Sequence, residues 1–183
     1  MLYTIYMQNF DKVFSAKKVA TLALFTAMSL ITFLIENLFP PLFLPGAKMG
    51  LSNVFSLLTL VIYGPVEAIC VIVVRTVLGS FFGNVFALAY SFTAGLVSIV
   101  LSGVLMKFCF PKLTLLAISI FSAVAHNVVQ VFVCYLLTDT QGLFSYLPYL
   151  ALCGVLAGVI VGLTVIFLIK AIPTSIYKKM LHA

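Results

Sequence analysis

Residues 113–137 read LTLLAISIFSAVAHNVVQVFVCYLL, with no Asp, Glu, Lys or Arg anywhere in the run. At about 1.5 Å of rise per residue, a helix of this length exceeds the roughly 30 Å of a bilayer's hydrocarbon core. It is not apolar all round, however. Ser119, Ser122, His126, Gln130 and Cys134 recur at steps of three or four, with Asn127 beside His126. At 3.6 residues per turn they form one polar stripe. Such a stripe is costly against lipid, so it is expected to face other helices or a wet cavity.

The rest of the chain repeats this pattern. Of 183 residues, 64% are apolar and only 8% are charged. A soluble domain carries about 25% charged residues, so a soluble fold lacks the polar surface it would need. Six crossings of about 20 residues would use most of the chain and leave short loops. The expected fold class is therefore all-α, an integral membrane bundle of about six helices. Its helices are expected near 17–36, 49–63, 66–80, 86–108, 113–137 and 147–169. Pro40, Pro41, Pro45 and Gly46 break the chain after the first, and Gly64-Pro65 separates the second from the third. The second and third are short for full crossings. The domain reading is an N-terminal segment over 1–16, a transmembrane domain over 17–171 and a basic tail over 172–183.

Lysine placement gives the orientation. With six crossings, Lys12, Lys17, Lys18, Lys107, Lys112, Lys170, Lys178 and Lys179 share one side, and the loops of the other side hold only Lys48. Basic residues concentrate on the cytoplasmic face, so both termini are expected there, in a multi-pass protein of a cell membrane, bacterial by expectation. No cleavage-site pattern follows the first apolar run. The chain has no Trp, so its eight tyrosines are left to form the interfacial belt.

Ionisable groups at membrane depth are expensive and stand out as candidates. Arg75 is the chain's single arginine. It needs an anion, carbonyls or water, because it stays protonated. An ion pair with Glu36 would satisfy it; so would an anionic ligand group shared with Lys48. Helix rise puts Lys48, Asn53, Arg75, Asn84, His126, Asn127 and Gln130 in the outer half, where a ligand cavity is expected. Residues 39–45 are a candidate lid. Interhelical hydrogen bonding is the plainer alternative for His126 and Gln130. Small residues at Gly154, Gly158 and Gly162, and at Ala94, Ser98 and Ser102, are expected to serve internal packing. Glu67, at the start of the third helix, fits its positive dipole end.

Several classes are disfavoured. There is no G-x-x-x-x-G-K-[ST] loop for ATP. The four acidic residues, Asp11, Glu36, Glu67 and Asp139, are scattered and form no magnesium-binding cluster. The four cysteines, Cys70, Cys109, Cys134 and Cys153, lack metal-ligand spacing. No catalytic residues, metal site or cofactor are expected, and neither enzyme activity nor nucleic-acid binding.

Lys48-Met49-Gly50-Leu51-Ser52-Asn53, Tyr63-Gly64, Arg75-Thr76-Val77-Leu78-Gly79 and Ala125-His126-Asn127-Val128-Val129-Gln130 together resemble the Gx transporter family, over roughly residues 16–170. That family is also labelled heptaprenyl diphosphate synthase component I. It is similar to the substrate-binding S components of energy-coupling factor (ECF) transporters. The resemblance implies a six-helix protein that binds a vitamin or other micronutrient from outside. It also implies partners: a transmembrane coupling subunit and two ABC-type ATPases, which supply energy in trans. The first helix of such proteins meets the coupling subunit through an alanine face, which Ala16, Ala20, Ala23 and Ala27 match here. An accessory role in isoprenoid or quinone metabolism is the alternative.

Overall fold

The computed structural model describes residues 16–38, 50–82 and 85–172. Among them are six α-helices: α1 (Ala16–Leu38), α2 (Asn53–Ile62), α3 (Pro65–Ser80), α4 (Val85–Cys109), α5 (Leu115–Thr138) and α6 (Leu147–Ala171). A 3₁₀ turn, Gln141–Tyr146, leads into α6. The helical bundle expected from composition is therefore present, and the helix order follows the Pro and Gly breaks. Lys48, Asn84, residues 39–45 and the two terminal segments lie outside the described residues or almost wholly so.

Helix boundaries follow local chemistry. Gly50 has φ +70°, and its carbonyl accepts from the Asn53 amide at 2.9 Å, which starts α2. Gly64, at φ +113°, turns the chain, and Pro65 opens α3, where its missing N–H costs no hydrogen bond. Thr114 caps α5, its Oγ1 accepting from the Ala117 amide at 3.2 Å.

Among the described residues, four helices are long and apolar enough to cross a membrane: α1, α4, α5 and the helix ending at Ala171. The other two, α2 and α3, are short, as the sequence leads one to expect. With ten residues, α2 spans only about 15 Å. Val54, Leu57, Leu58, Leu60, Val61 and Ile62 are all buried, so α2 is surrounded by protein and needs no lipid face. With sixteen residues, α3 reaches about 24 Å. Elsewhere the exterior is apolar, with Leu24, Val77, Phe121, Phe132, Leu156 and Phe167 exposed. Lipid is the solvent that such a surface suits.

The strongest packing joins α5 to α6 through the glycine face. A Cβ added at Gly158 would lie 2.5 Å from the Ile120 Cα, and at Gly154 3.0 Å from the Val124 Cα. The first is shorter than real Cβ contacts, so only glycine permits the approach there; the second is tighter than most such contacts, so a side chain at 154 would press on the α5 backbone. The small-residue face of α4 docks on α5 by hydrogen bonds as well. Ser102 Oγ lies 2.7 Å from Ser122 Oγ, and Ser98 Oγ donates to the Ser122 carbonyl at 3.0 Å.

One end of the bundle gathers the basic residues. Lys18 on α1 pairs with Glu67 on α3 at 2.5 Å, and its ammonium sits 5.8 Å from the Tyr63 ring. The Pro65 Cβ lies 3.6 Å from where a Cβ on Gly103 of α4 would be, so the Lys107 end of α4 joins the same layer. Lys107 and Lys170 occupy the last turns of α4 and α6, where they complement the helix dipoles. Glu67 thus has a partner beyond its helix dipole: it ties α1 to the α2–α3 turn.

Candidate functional site

Toward the other end, polar side chains from α2, α4 and α5 converge on one small cavity. Asn53 and Ser56 of α2, Gly95, Ser98 and Ser102 of α4, and Ser119, Ser122, His126 and Asn127 of α5 are in its wall; Ile72, Ile99 and Val161 supply apolar surface. About 30 Å³ is open to the centres of water molecules, room for about two. Ser56 Oγ is buried and has no hydrogen-bond partner among the described residues, so a water in the cavity would satisfy it.

Arg75 lies beside this cavity, on α3, and is only 4% exposed. Its Nη1 donates to Ser29 Oγ at 3.1 Å and reaches Asn53 Oδ1 at 3.4 Å. Ser29 Oγ in turn donates to the Ser52 carbonyl at 2.8 Å, fixing α1 against the start of α2. Both acceptors of Arg75 are neutral. Glu36 is close enough for its charge to attract the guanidinium. Among the described residues, no ion pair within 4 Å joins the two. Glu36 instead accepts from the Leu51 amide through Oε1 at 2.6 Å, holding the entrance to α2. Its other oxygen, Oε2, is buried without a hydrogen-bond partner among the described residues. The direct Arg75–Glu36 pair, one of the two alternatives for this arginine, is therefore not formed.

The stripe on α5 faces inward as its spacing predicts. Ser119, Ser122, His126, Asn127 and Gln130 are all buried. Their environments differ. Asn127 donates from Nδ2 to the Leu150 carbonyl at 2.8 Å, so one of its functions is to clamp α5 to α6. His126 stands in the cavity wall, whereas Gln130 is buried a turn further on and outside the lining. Of the seven residues expected around a ligand, Asn53, His126 and Asn127 line the cavity and Arg75 flanks it. Lys48 and Asn84 fall outside the described residues.

Several contributors, Ser29, Ser56, Ser98 and Ser102 among them, were not singled out for a ligand site by sequence reasoning. Ser29 anchors Arg75, and Ser56, Ser98 and Ser102 form part of the wall. For Ser98 and Ser102 a signal existed. The Ala94-xxx-Ser98-xxx-Ser102 face was readable as small, and its hydroxyls face the α5 stripe across the seam. Ser29 carries no such signal in the sequence.

Chemically, the arrangement offers a buried cation on one side, hydroxyls along the floor and an imidazole with amide groups on the other side. It can hold a small polar or anionic group by charge-assisted hydrogen bonds. Among the described residues, no group of three or more His, Cys, Asp or Glu side chains is placed to hold a metal ion.

Comparison with known proteins agrees with the motifs. Neither a curated protein nor a solved structure matches the chain. The model of one protein family matches residues 25–168, which take in all four sequence motifs and both walls of the cavity. By that match, over well more than half its length, the chain belongs to the heptaprenyl diphosphate synthase component I family.

Proposed function

We propose that this chain is the substrate-binding membrane subunit of an ECF-type importer, a multi-pass protein of the cell membrane. Its substrate is a small micronutrient carrying an anionic group. The observation that carries this reading is Arg75: a buried guanidinium with only neutral hydrogen-bond partners, beside a polar cavity. Retaining an arginine in such a place is costly unless something uses its charge. In this reading Arg75, with Lys48, neutralises the anionic group. Asn53, Asn84, His126, Asn127 and Gln130 bond the polar remainder.

The cavity has room for about two waters, so a micronutrient enters only if its walls separate. The glycine contacts lock α5 to α6, which leaves the α1–α3 side as the wall that moves. The exposed face of α1 supports a partner as well. Ala16, Ala20, Ala23 and Ala27 are all exposed, giving a flat surface on which a coupling subunit's helix can dock closely. Two ABC-type ATPases would supply the energy.

A second reading comes from the family's own description, which speaks of one component of a heptaprenyl diphosphate synthase. Here the chain would hold a lipid diphosphate for a soluble synthase and catalyse nothing itself. Purification of the tagged chain in mild detergent separates the two. We expect a transmembrane subunit and an ATPase pair to accompany it. Recovery of a soluble prenyl synthase instead would favour the second reading, and turnover by the isolated chain would overturn both.

A further inference from the structure

Gly95 stands on α4 in the cavity wall, opposite Arg75. A Cβ built there would lie 3.5 Å from Ile72 Cγ2 and 3.8 Å from Arg75 Nη2. Both are ordinary van der Waals distances, so packing does not require a glycine here. Gly158, where a Cβ would meet backbone at 2.5 Å, is the contrasting case. In a helix interior, glycine is also less favourable than alanine. What the missing methyl leaves open is the space beside Nη2. The guanidinium spends Nη1 on Ser29 and Asn53, and no described residue accepts a hydrogen bond from Nη2. An oxyanion bonded to Nη2 would place its oxygen about 2.8 Å from that nitrogen, in the space that a side chain at 95 would crowd.

We propose that Gly95 is a specificity-determining position, keeping open the notch in which the free arm of Arg75 receives the ligand's oxyanion. This rests on the reading of Arg75 as an anion-binding group and goes further by fixing where the anion sits and what admits it. The chemistry suits a phosphate or carboxylate, whether on a soluble molecule or on a lipid headgroup. A ligand carrying a neutral group at this point would gain nothing from the notch.

The test uses the single arginine as its own reporter. The full chain in detergent micelles, labelled with ¹⁵N-arginine, gives one side-chain Nε–H signal, and Arg75→Lys removes it to confirm the assignment. Inorganic phosphate is titrated at constant ionic strength, with chloride as control. In the wild type we expect a saturable shift. In Gly95→Ala the half-saturating concentration should rise about tenfold, as expected if one charge-assisted hydrogen bond is lost, with an unchanged or higher melting temperature. Gly103→Ala, on the same helix but opposite Pro65 and Leu60, should behave as wild type.

Equal affinity in Gly95→Ala and wild type would overturn the notch while leaving the anion-binding reading intact. A wild-type signal that phosphate never shifts would overturn both. Repeating the measurement in nanodiscs separates the two sources. A signal already shifted by phosphatidylglycerol, but not by phosphatidylcholine, identifies a lipid headgroup as the anion; a response to added phosphate in both identifies a soluble one. Either outcome supports the notch, provided Gly95→Ala weakens it.

Discussion

Replacing Arg75 with Met separates a binding arginine from a structural one. The Met side chain keeps the apolar stem and discards the charge. Two hydrogen bonds are lost, at 3.1 Å to Ser29 and 3.4 Å to Asn53. The first is a sound charged-to-neutral bond worth about 1.5–2 kcal/mol; the second is at the limit of length and is worth about 1 kcal/mol or less. Against that stands the burial of a guanidinium with no ion pair within 4 Å, an effective cost of several kcal/mol that the more distant charge of Glu36 offsets only in part. The two nearly cancel. We therefore expect Arg75→Met to unfold within about 1 kcal/mol of wild type. Equilibrium unfolding in mixed micelles, followed by far-ultraviolet circular dichroism, measures this. Small-molecule binding by the same variant should be abolished. A loss of about 3–5 kcal/mol, the cost of breaking a buried charge network, would refute the reasoning and make Arg75 a structural keystone.

Other expected outcomes follow from the packing. Gly158→Ala should destabilise by about 2 kcal/mol or more, because its Cβ collides with the Ile120 backbone at 2.5 Å and α5 and α6 must part; the same unfolding assay reads it. Lys18→Met alone should cost about 2–3 kcal/mol by stranding Glu67, while Lys18→Met with Glu67→Leu should recover most of that loss. Ser122→Ala removes the nearer of two acceptors of the Ser102 hydroxyl, which keeps the Ser98 carbonyl at 3.0 Å, and should cost about 1 kcal/mol or less. Bulky substitution at Ala23 or Ala27, both on the exposed face of α1, should leave the melting temperature unchanged and abolish recovery of partner subunits.

Much of this was legible in the sequence because bilayer solvation imposes coarse rules. The break at Gly64-Pro65 places the end of α2 and the start of α3 to within a residue. The stripe from Ser119 to Gln130 reads directly as an inward face, since no other placement avoids exposing those groups to lipid. What could not be read depends on distance. The sequence left Arg75 between Glu36 and a ligand, and only the geometry sends Glu36 to the Leu51 amide instead. Similarly, composition marks α2 as apolar but cannot distinguish a helix wrapped in protein from one wrapped in lipid. Asn127 looked like a ligand group by type, yet its Nδ2 is bonded to Leu150. The distinction between glycines is also three-dimensional: Gly158 is needed by a neighbouring backbone and Gly95 is not.

Native mass spectrometry of the gently purified chain, beside its Arg75→Met variant, bears most directly on substrate binding. The wild type should retain a small-molecule adduct with an anionic group, and Arg75→Met should be folded and free of it. An adduct held equally by both proteins, or none on the wild type, would contradict the assignment of this chain as an anion-recognising substrate-binding subunit.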